Sequence, residues 1–168
     1  MDVLFTAYAG DVYRFALRRT SRSGAEDVVS ETFLVAWRRL DSIPDAPKPW
    51  LLGVARRVLA NQRRAAGRQS ALTARLRPSD PSRDAVADEP ADSAVVQALN
   101  ELAPVDRDAI TLIAWDGLSP EEAATVLDCS RATFYVRLHR AKKRLAAALS
   151  TTDEHTADQN NEQRVERS

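Results

Sequence analysis

The residues whose types and spacing are most informative lie between Ser119 and Leu145. Ser119 and Glu122 have the spacing of a capping box at a helix start, and Ser130 can cap a second helix after a short turn. The second helix would bury an apolar stripe and expose several arginines, whose planar guanidinium groups donate paired hydrogen bonds to guanine or to phosphate. The segment therefore predicts a helix-turn-helix that reads duplex DNA. The alternative is an ordinary helical hairpin with a solvated basic edge.

A second basic surface is predicted between Lys48 and Arg77, a stretch with eight basic groups and no carboxylate. Helical periodicity from Trp50 to about Ala66 separates an apolar arc from a cationic arc. A merely solvated helix usually mixes charges of both signs, so a face without any acid favours an anionic partner. The cationic arc holds Arg56, Arg57, Ala60, Arg63 and Arg64, and the apolar arc holds Leu51, Val54, Ala55, Val58, Leu59 and Gln62.

The chain has 168 residues and no net charge, but its charges are segregated along the sequence. Residues 1–77 carry 14 basic and 7 acidic groups, whereas residues 78–103 carry 1 basic and 6 acidic groups. The asymmetry predicts basic domains separated by an acidic segment.

Composition also excludes several classes of protein. One cysteine and two histidines allow no internal disulfide and no zinc ligand set, so we expect no metal and no cofactor. We find no nucleophile with a base, paired-carboxylate pocket or phosphate-binding glycine loop, so we expect no catalytic residues and no enzyme activity. No apolar run approaches the ~20 residues that span a bilayer, and no signal segment precedes the first helix. We therefore expect a soluble cytoplasmic protein.

Helical spacing recurs without strand-like alternation, which predicts an all-α fold. We expect two small helical domains joined by a flexible acidic linker, with the helix-turn-helix in the C-terminal domain. The predicted boundaries are residues 1–77 for the first domain, 78–93 for the linker, 94–149 for the second domain and 150–168 for a disordered tail.

In the first domain we expect a helix over about residues 2–19. A second helix should begin with a capping box formed by Ser23 and Glu26 and should end near residue 40. A stiff loop with three prolines should follow, and a helix should begin at Trp50. The expected core faces are Leu4, Phe5, Tyr8, Val12, Phe15 and Ala16 on the first helix, and Val29, Phe33, Ala36, Trp37 and Leu40 on the second. In the second domain we expect four helices, with Ile110, Leu112, Ile113 and Trp115 in the core before Gly117.

Two segments stand in a characteristic order before the acidic linker and the helix-turn-helix: AEDVVSETFLVAWRRL and, after the proline loop, WLLGVARRVLANQRR. Over roughly residues 1–148 this order resembles the extracytoplasmic-function (ECF) group of bacterial RNA polymerase sigma factors. The resemblance implies a dissociable subunit that directs the polymerase to promoters. The implied partners are core RNA polymerase, promoter DNA and, by analogy, an anti-sigma factor, with no membrane insertion.

The resemblance assigns sigma region 2 to residues 1–77 and sigma region 4 to residues 94–149. In region 2, one helix surface would dock on the coiled coil of the polymerase clamp, and a stiff loop with a cationic helix would capture a flipped base of the single-stranded minus-ten element. Region 4 would read the minus-thirty-five element as a duplex. The implied residues are Asp27, Ser30, Glu31, Leu34 and Arg38 for core polymerase; Lys48, Trp50, Arg56, Arg57, Asn61 and Arg64 for the minus-ten element; and Arg131, Thr133, Tyr135, Val136, Arg137, His139, Arg140 and Lys143 for the minus-thirty-five element.

The chain departs from the family pattern at several of these positions. Asp128 stands where a turn glycine is usual, and Arg57 stands where many relatives carry asparagine. Tyr135 and Val136 stand where polar or basic residues are frequent, which predicts more apolar base contacts, such as those to thymine methyl groups. Arg131, like Lys142 and Lys143, is expected on a phosphate.

Other interpretations of the same residues stay open. Asp27 and Glu31 could merely solvate a helix, Trp50 could fill the core, and the acidic linker could be a plain tether or a nucleic-acid mimic. For the whole chain, a stand-alone helix-turn-helix regulator that binds a palindrome as a dimer is the second hypothesis. A helical adaptor that binds only proteins is the third. Neither explains the cationic arc together with the clamp-like helix.

Overall fold

The computed structural model describes residues 1–74 and 94–165, with side chains over 1–68 and 94–150. Within these ranges every regular element is an α-helix except for one 3-10 turn, so the all-α prediction is confirmed. The predicted linker at 78–93 lies outside the described residues. The helices are α1 (Asp2–Leu17), α2 (Arg22–Arg38), α3 (Pro47–Ala74), α4 (Ala94–Glu101), α5 (Pro104–Ala114), α6 (Pro120–Val126) and α7 (Arg131–Val165), with the 3-10 turn at Leu40–Ser42.

The helices form two compact units, the first built on α1 to α3 and the second on α4 to α7. In the first unit each of the three helices packs against the other two. The packing follows from one apolar stripe on each helix, because removing such stripes from water is the main driving force for helix association. The buried side chains include Val12, Phe15 and Ala16 of α1, Ala25, Val28, Phe33 and Ala36 of α2, and Leu51, Leu52, Ala55, Val58 and Leu59 of α3.

The start of α2 differs from the prediction. Ser21, and not Ser23, is the N-cap: its backbone is extended and its hydroxyl accepts a hydrogen bond from the Gly24 amide at 3.3 Å. Ser23 therefore lies inside the first turn. The Glu26 carboxylate lies 4.0 Å from the Arg22 guanidinium, which takes the place of the predicted capping-box contact. Glycine suits position 24, because a Cβ there would lie 2.5 Å from the Thr20 hydroxyl.

The predicted core face of α2 is partly wrong. Phe33 and Ala36 are buried, but Trp37 is 60% exposed and Leu40 is 46% exposed. The buried stripe instead includes small residues and Thr32, which allow α2 to approach its neighbours closely. The sequence pattern alone favoured the larger side chains, and burial here is decided by the close approach of the helices.

Two other aromatic residues that the sequence predicted in the core are partly exposed. Phe5 of α1 is about half exposed and contacts the edge of Phe33 with ring centroids 4.8 Å apart. Trp115 is 43% exposed because it is the C-cap residue of α5, beyond the last buried turn. Gly117 has φ +65°, the left-handed conformation that ends a helix, as predicted.

The proline loop is shorter than predicted. α3 begins at Pro47, and Pro49 also lies in its first turn. Proline is tolerated there because the first amide groups of a helix have no intrahelical acceptor. Only Pro44 remains in the connection between the 3-10 turn and α3.

In the second unit α7 packs against α4 and α5, and the four predicted helices are present. Arg107 ties the end of α4 to α5: its guanidinium donates to the carbonyls of Leu99, Asn100 and Leu102 at 2.8, 2.7 and 3.3 Å. These bonds engage carbonyl groups at and just beyond the end of a short helix, where intrahelical amide donors run out. The core includes Ala98, Leu99, Leu112, Phe134, Leu138 and Ala141.

The last helix also differs from expectation. α7 continues to Val165, where we expected a disordered tail from residue 150. No proline or glycine occurs between Arg131 and Val165, so no residue of the segment forces the helix to end.

The corrected start of α2 generates a stability prediction. Ser21→Ala should lower the free energy of unfolding by about 1 kcal/mol, because an amide of the first turn loses its side-chain acceptor. Ser23→Ala is the matched control and should change it by less than about 0.5 kcal/mol. Denaturant unfolding followed by circular dichroism measures both. A larger loss for Ser23→Ala than for Ser21→Ala would contradict the assigned cap.

Candidate nucleic-acid and protein interfaces

The helix-turn-helix of the second unit is held by side-chain caps on both helices. At the start of α6 the Ser119 amide donates to the Glu122 carboxylate at 2.8 Å, and the Glu122 amide donates to the Ser119 hydroxyl at 3.3 Å. This reciprocal pair is the predicted capping box. At the start of α7 the Thr133 amide donates to the Ser130 hydroxyl at 3.1 Å. The two predicted helix starts are confirmed.

The turn between these helices contains a residue with positive φ. Asp128 has φ +54°, and it is the non-glycine residue with positive φ in the described ranges. The amides of Asp128 and Cys129 donate to the carbonyls of Thr125 and Ala124 at 3.2 and 3.1 Å, which closes the end of α6. Aspartate tolerates this conformation better than most residues, so the turn forms without the usual glycine.

α7 exposes most of the residues that the resemblance implies for minus-thirty-five recognition. Tyr135 and Val136 are about half exposed, while Phe134 and Leu138 point into the core. A groove of about 450 Å³ runs beside α7 and brings four of the implied residues together. Its lining is Asp106, Ala132, Thr133, Val136, Arg137, Arg140 and Arg144. The remaining implied residues, Arg131, Tyr135, His139 and Lys143, are exposed elsewhere on the helix.

The arginines of α7 have different local partners. Arg144 forms an ion pair with the buried carboxylate of Asp106 on α5, and Arg137 lies 3.9 Å from the Cys129 sulfur. Arg131 pairs with Glu121 of α6 at 2.8 Å. Arg140 is exposed and has no ion pair within residues 94–150. Of the three groove arginines, Arg140 is therefore the one whose donors are best placed for an external anion.

The pKa of the Arg131 guanidinium is raised from its ordinary value, first by a hydrogen bond with the Tyr135 side chain and next by the Glu121 carboxylate. The guanidinium carbon lies 5.5 Å from the centroid of the Tyr135 ring, within the range of a cation–π contact. The contacts with Tyr135 and Glu121 therefore favour the charged form of Arg131.

On α2 the residues implied for the polymerase clamp form one exposed stripe at spacings of three and four. Asp27, Ser30, Glu31, Leu34 and Arg38 are all exposed. Glu31 accepts a hydrogen bond from the Gln62 amide of α3 at 3.2 Å. Trp37 adjoins Leu34 on the helix, and the sequence reasoning placed it in the core. The signal that could have identified it is its spacing of three from the exposed leucine.

On α3 the six residues implied for the minus-ten element do not share one surface. Helical spacing places Trp50, Arg57, Asn61 and Arg64 on one side, and the Arg64 guanidinium donates to the Asn61 side-chain oxygen at 2.5 Å. Lys48 instead forms an ion pair with Asp11 of α1 at 3.7 Å. Arg56 is partly buried, and Trp50 is neither fully buried nor fully exposed.

One member of the cationic arc has a structural contact. Arg63 donates to the Arg19 carbonyl at 3.0 Å, and Arg19 in turn donates to the Phe15 carbonyl at 2.8 Å and lies over the Phe15 ring. These contacts cap the end of α1 and tie it to α3. The arc that periodicity predicted thus combines a structural cation with exposed ones.

The described part of the chain contains no cluster of three or more histidine, cysteine or acidic side chains that could hold a metal ion. Among the described helices, none is both long and apolar enough to cross a membrane.

Comparisons with known proteins agree with this arrangement of helices. The family model for sigma-70 region 2 matches residues 4–69, and the model for sigma-70 region 4 matches residues 92–145. The ECF RNA polymerase sigma factor SigL of Mycobacterium tuberculosis is 31% identical over 156 residues, covering 89% of this chain and 88% of the relative. The ECF sigma factor SigM of Bacillus subtilis is 32% identical, covering 88% and 93%.

Two solved structures are similar over most of the chain. The sigma factor RpoE of Bartonella quintana, determined with the anti-sigma factor NepR, has a TM-score of 0.69 at 28% identity and covers 89% of this chain and 96% of its own. CnrH, determined with the cytosolic domain of CnrY, has a TM-score of 0.59 at 26% identity and covers 89% and 87%. The chain belongs to the ECF family of RNA polymerase sigma factors, the subunits that bind core polymerase and direct promoter-specific transcription initiation.

The ion pair between Arg144 and Asp106 generates a prediction about stability. Arg144→Ala should lower the free energy of unfolding by about 1–3 kcal/mol, because it leaves the buried Asp106 carboxylate without its cation. Arg140→Ala, one turn earlier on the same helix, is the control and should change it by less than about 0.5 kcal/mol. Thermal and denaturant unfolding of the full chain measure both. Equal effects of the two substitutions would contradict the structural role of Arg144.

Proposed function

We propose that the two units divide promoter recognition between them. The first unit would bind the polymerase clamp through the exposed stripe of α2 and contact the melted minus-ten element through α3. The second unit would read the duplex minus-thirty-five element through α7. The observation that carries this proposal is the groove beside α7, where exposed Val136 and Arg140 adjoin polar side chains in a helix-turn-helix whose two helices are both capped.

The proposed domain boundaries are those drawn from the sequence: region 2 within residues 1–77, an acidic linker at 78–93 and region 4 within 94–149. The matches to the region 2 and region 4 family models at 4–69 and 92–145 support this division. Such an arrangement needs no catalytic group, so we propose a non-enzymatic factor that acts in the cytoplasm, where its polymerase works.

For the minus-ten element we propose the exposed side of α3 as the contact surface. Arg57, Asn61 and Arg64 would donate to the backbone and base of the unpaired strand, since cations and stacking platforms together bind single strands. Trp50, at the start of the same side, is the candidate for stacking. Lys48 and Arg56 would act by positioning α3 and by adding positive potential.

We also propose an anti-sigma factor as a second protein partner. RpoE of Bartonella quintana and CnrH are similar to this chain over most of its length, and their structures contain NepR and the cytosolic domain of CnrY, respectively. The exposed apolar side chains of α2 and α7 would be available to such a partner before polymerase binds.

The α2 stripe generates a prediction about association with core polymerase. Asp27→Lys should weaken binding to purified core polymerase about tenfold, because it reverses the charge at the N-terminal end of the stripe. Trp37→Ala should weaken it by about 1–2 kcal/mol, since exposed tryptophans often anchor interfaces. The measurement is a titration of labelled full-length protein with core enzyme. Glu26→Lys is the matched control: Glu26 neighbours Asp27 but lines the separate groove between α1 and α2. Normal core binding by both test variants would remove the clamp assignment.

The proposed reading surface of α7 generates a second prediction, made with reconstituted holoenzyme. Arg140→Ala should cost about 1–3 kcal/mol at a cognate promoter and alter the preferred minus-thirty-five sequence. Lys143→Ala should weaken binding to all promoters alike and reduce the slope of affinity against salt. Run-off transcription and binding to a promoter library measure both effects. Equal losses on every sequence for Arg140→Ala would contradict base reading, and tight dimeric binding of the isolated protein to a palindrome would favour a stand-alone regulator.

A further inference from the structure

The two helices of the helix-turn-helix are joined at their starts by an ion pair on the protein surface. Glu121 is the second residue of α6 and Arg131 is the first residue of α7. Their side chains meet at 2.8 Å although both remain largely exposed. The Arg131 guanidinium also lies near the Tyr135 ring. The Glu121 carboxylate is therefore paired with Arg131, the first cation of the helix that the proposed function places on DNA.

The energetic effect of this pair on folding is small. Exposed ion pairs contribute little to stability, because water and salt screen them and the two side chains lose conformational freedom. Its effect on DNA binding is more direct. Affinity for any DNA sequence depends on how many phosphates a protein neutralises, and an arginine that already carries a carboxylate presents little net charge to a phosphate.

The Arg131 guanidinium does not lose its charge by deprotonation, as is general for arginine in proteins, and the Tyr135 hydrogen bond and the Glu121 carboxylate raise its pKa further. Only a paired acid therefore reduces the attraction of this position for the DNA backbone. The neighbouring reading positions, Tyr135 and Val136, carry no charge and contribute to specificity through shape and apolar contact.

We propose that Glu121 limits the sequence-independent affinity of α7 for DNA: it neutralises Arg131 at the start of α7 and so suppresses binding to the phosphate backbone. The inference rests on the proposed DNA-reading role of α7. It assigns Arg131 mainly to the local pair and not to a phosphate, which revises the sequence-based expectation. Glu121 acts through Arg131 and is in this sense a positioning residue.

The test uses the full-length chain and a mixed-sequence duplex without a promoter, with affinity measured by fluorescence anisotropy over a series of salt concentrations. Glu121→Gln should bind this duplex about two- to fivefold more tightly at low salt, the range set by an exposed ion pair. Its plot of log affinity against log salt should be steeper by about one phosphate contact. Arg131→Ala should bind less tightly than Glu121→Gln, and the double variant should match Arg131→Ala.

Glu101→Gln is the matched control, because it makes the same change of charge at the exposed end of α4. Glu101 has no ion pair with α7 among residues 94–150. This variant should leave the salt slope at the wild-type value. An unchanged slope for Glu121→Gln would overturn the proposal. A gain in affinity that persists in the Arg131→Ala background would also overturn it, because the effect would then be general repulsion and not the pair.

A second arm uses holoenzyme and compares a cognate promoter with promoter-free DNA of the same length. Glu121→Gln should raise both affinities two- to fivefold and leave their ratio at the wild-type value, because a phosphate contact carries no sequence information. A gain in affinity for only one of the two DNAs would overturn the proposal. Failure of the wild-type holoenzyme to prefer the promoter would instead contradict the proposed function. The two failures are distinguishable, because the first arm measures the pair without promoter recognition.

Discussion

The orientation of every exposed residue on α7 depends on the single left-handed residue between α6 and α7. Successive helix residues are separated by a fixed rotation, so the start of α7 decides which side chains face outward along its length. Asp128 with φ +54° makes the reversal, and the hydroxyl of Ser130 fixes the first turn that follows. If α7 began one residue earlier or later, Val136 and Arg140 would be rotated by about 100° around the helix axis, and Phe134 or Leu138 would be exposed to water.

The same dependence on helix starts and ends appears in the first unit. Ser21 begins α2, and the prolines at 47 and 49 begin α3. Arg19 and Arg63 donate to carbonyls at and just beyond the end of α1. The side chains between these ends are small enough for close packing. Stripes of exposed residues on α2 and α3 are consequences of where the helices begin and of which sides meet.

The sequence predicted the fold class, the order of the helices and the capped helix-turn-helix, because apolar periodicity and capping residues are local signals. It mispredicted Trp37, Leu40 and Trp115, which are large and apolar yet exposed. A periodic pattern gives a broad apolar face, but the part of that face that is buried depends on the contact with neighbouring helices. Ser21 and Ser23 are both acceptable caps by residue type, and the path of the chain after α1 decided between them.

The candidate sites show a related limit of sequence reasoning, in which residue type does not reveal whether a cation is already paired. Lys48, Arg63 and Arg144 bind Asp11, the Arg19 carbonyl and Asp106, respectively, and each partner lies far away in the sequence.

These contacts divide the arginines and lysines into those that hold helices together and those that face outward. A count of basic residues on a helix therefore overestimates the number that bind DNA. This division lowers the sequence-independent affinity for DNA, because every cation committed to the protein is one that does not attract phosphates. A reading helix with few uncommitted cations relies more on the shape and hydrogen-bonding pattern of its groove-facing side chains. The arrangement on α7, with paired arginines around an exposed Arg140 and two neutral neighbours, has this character.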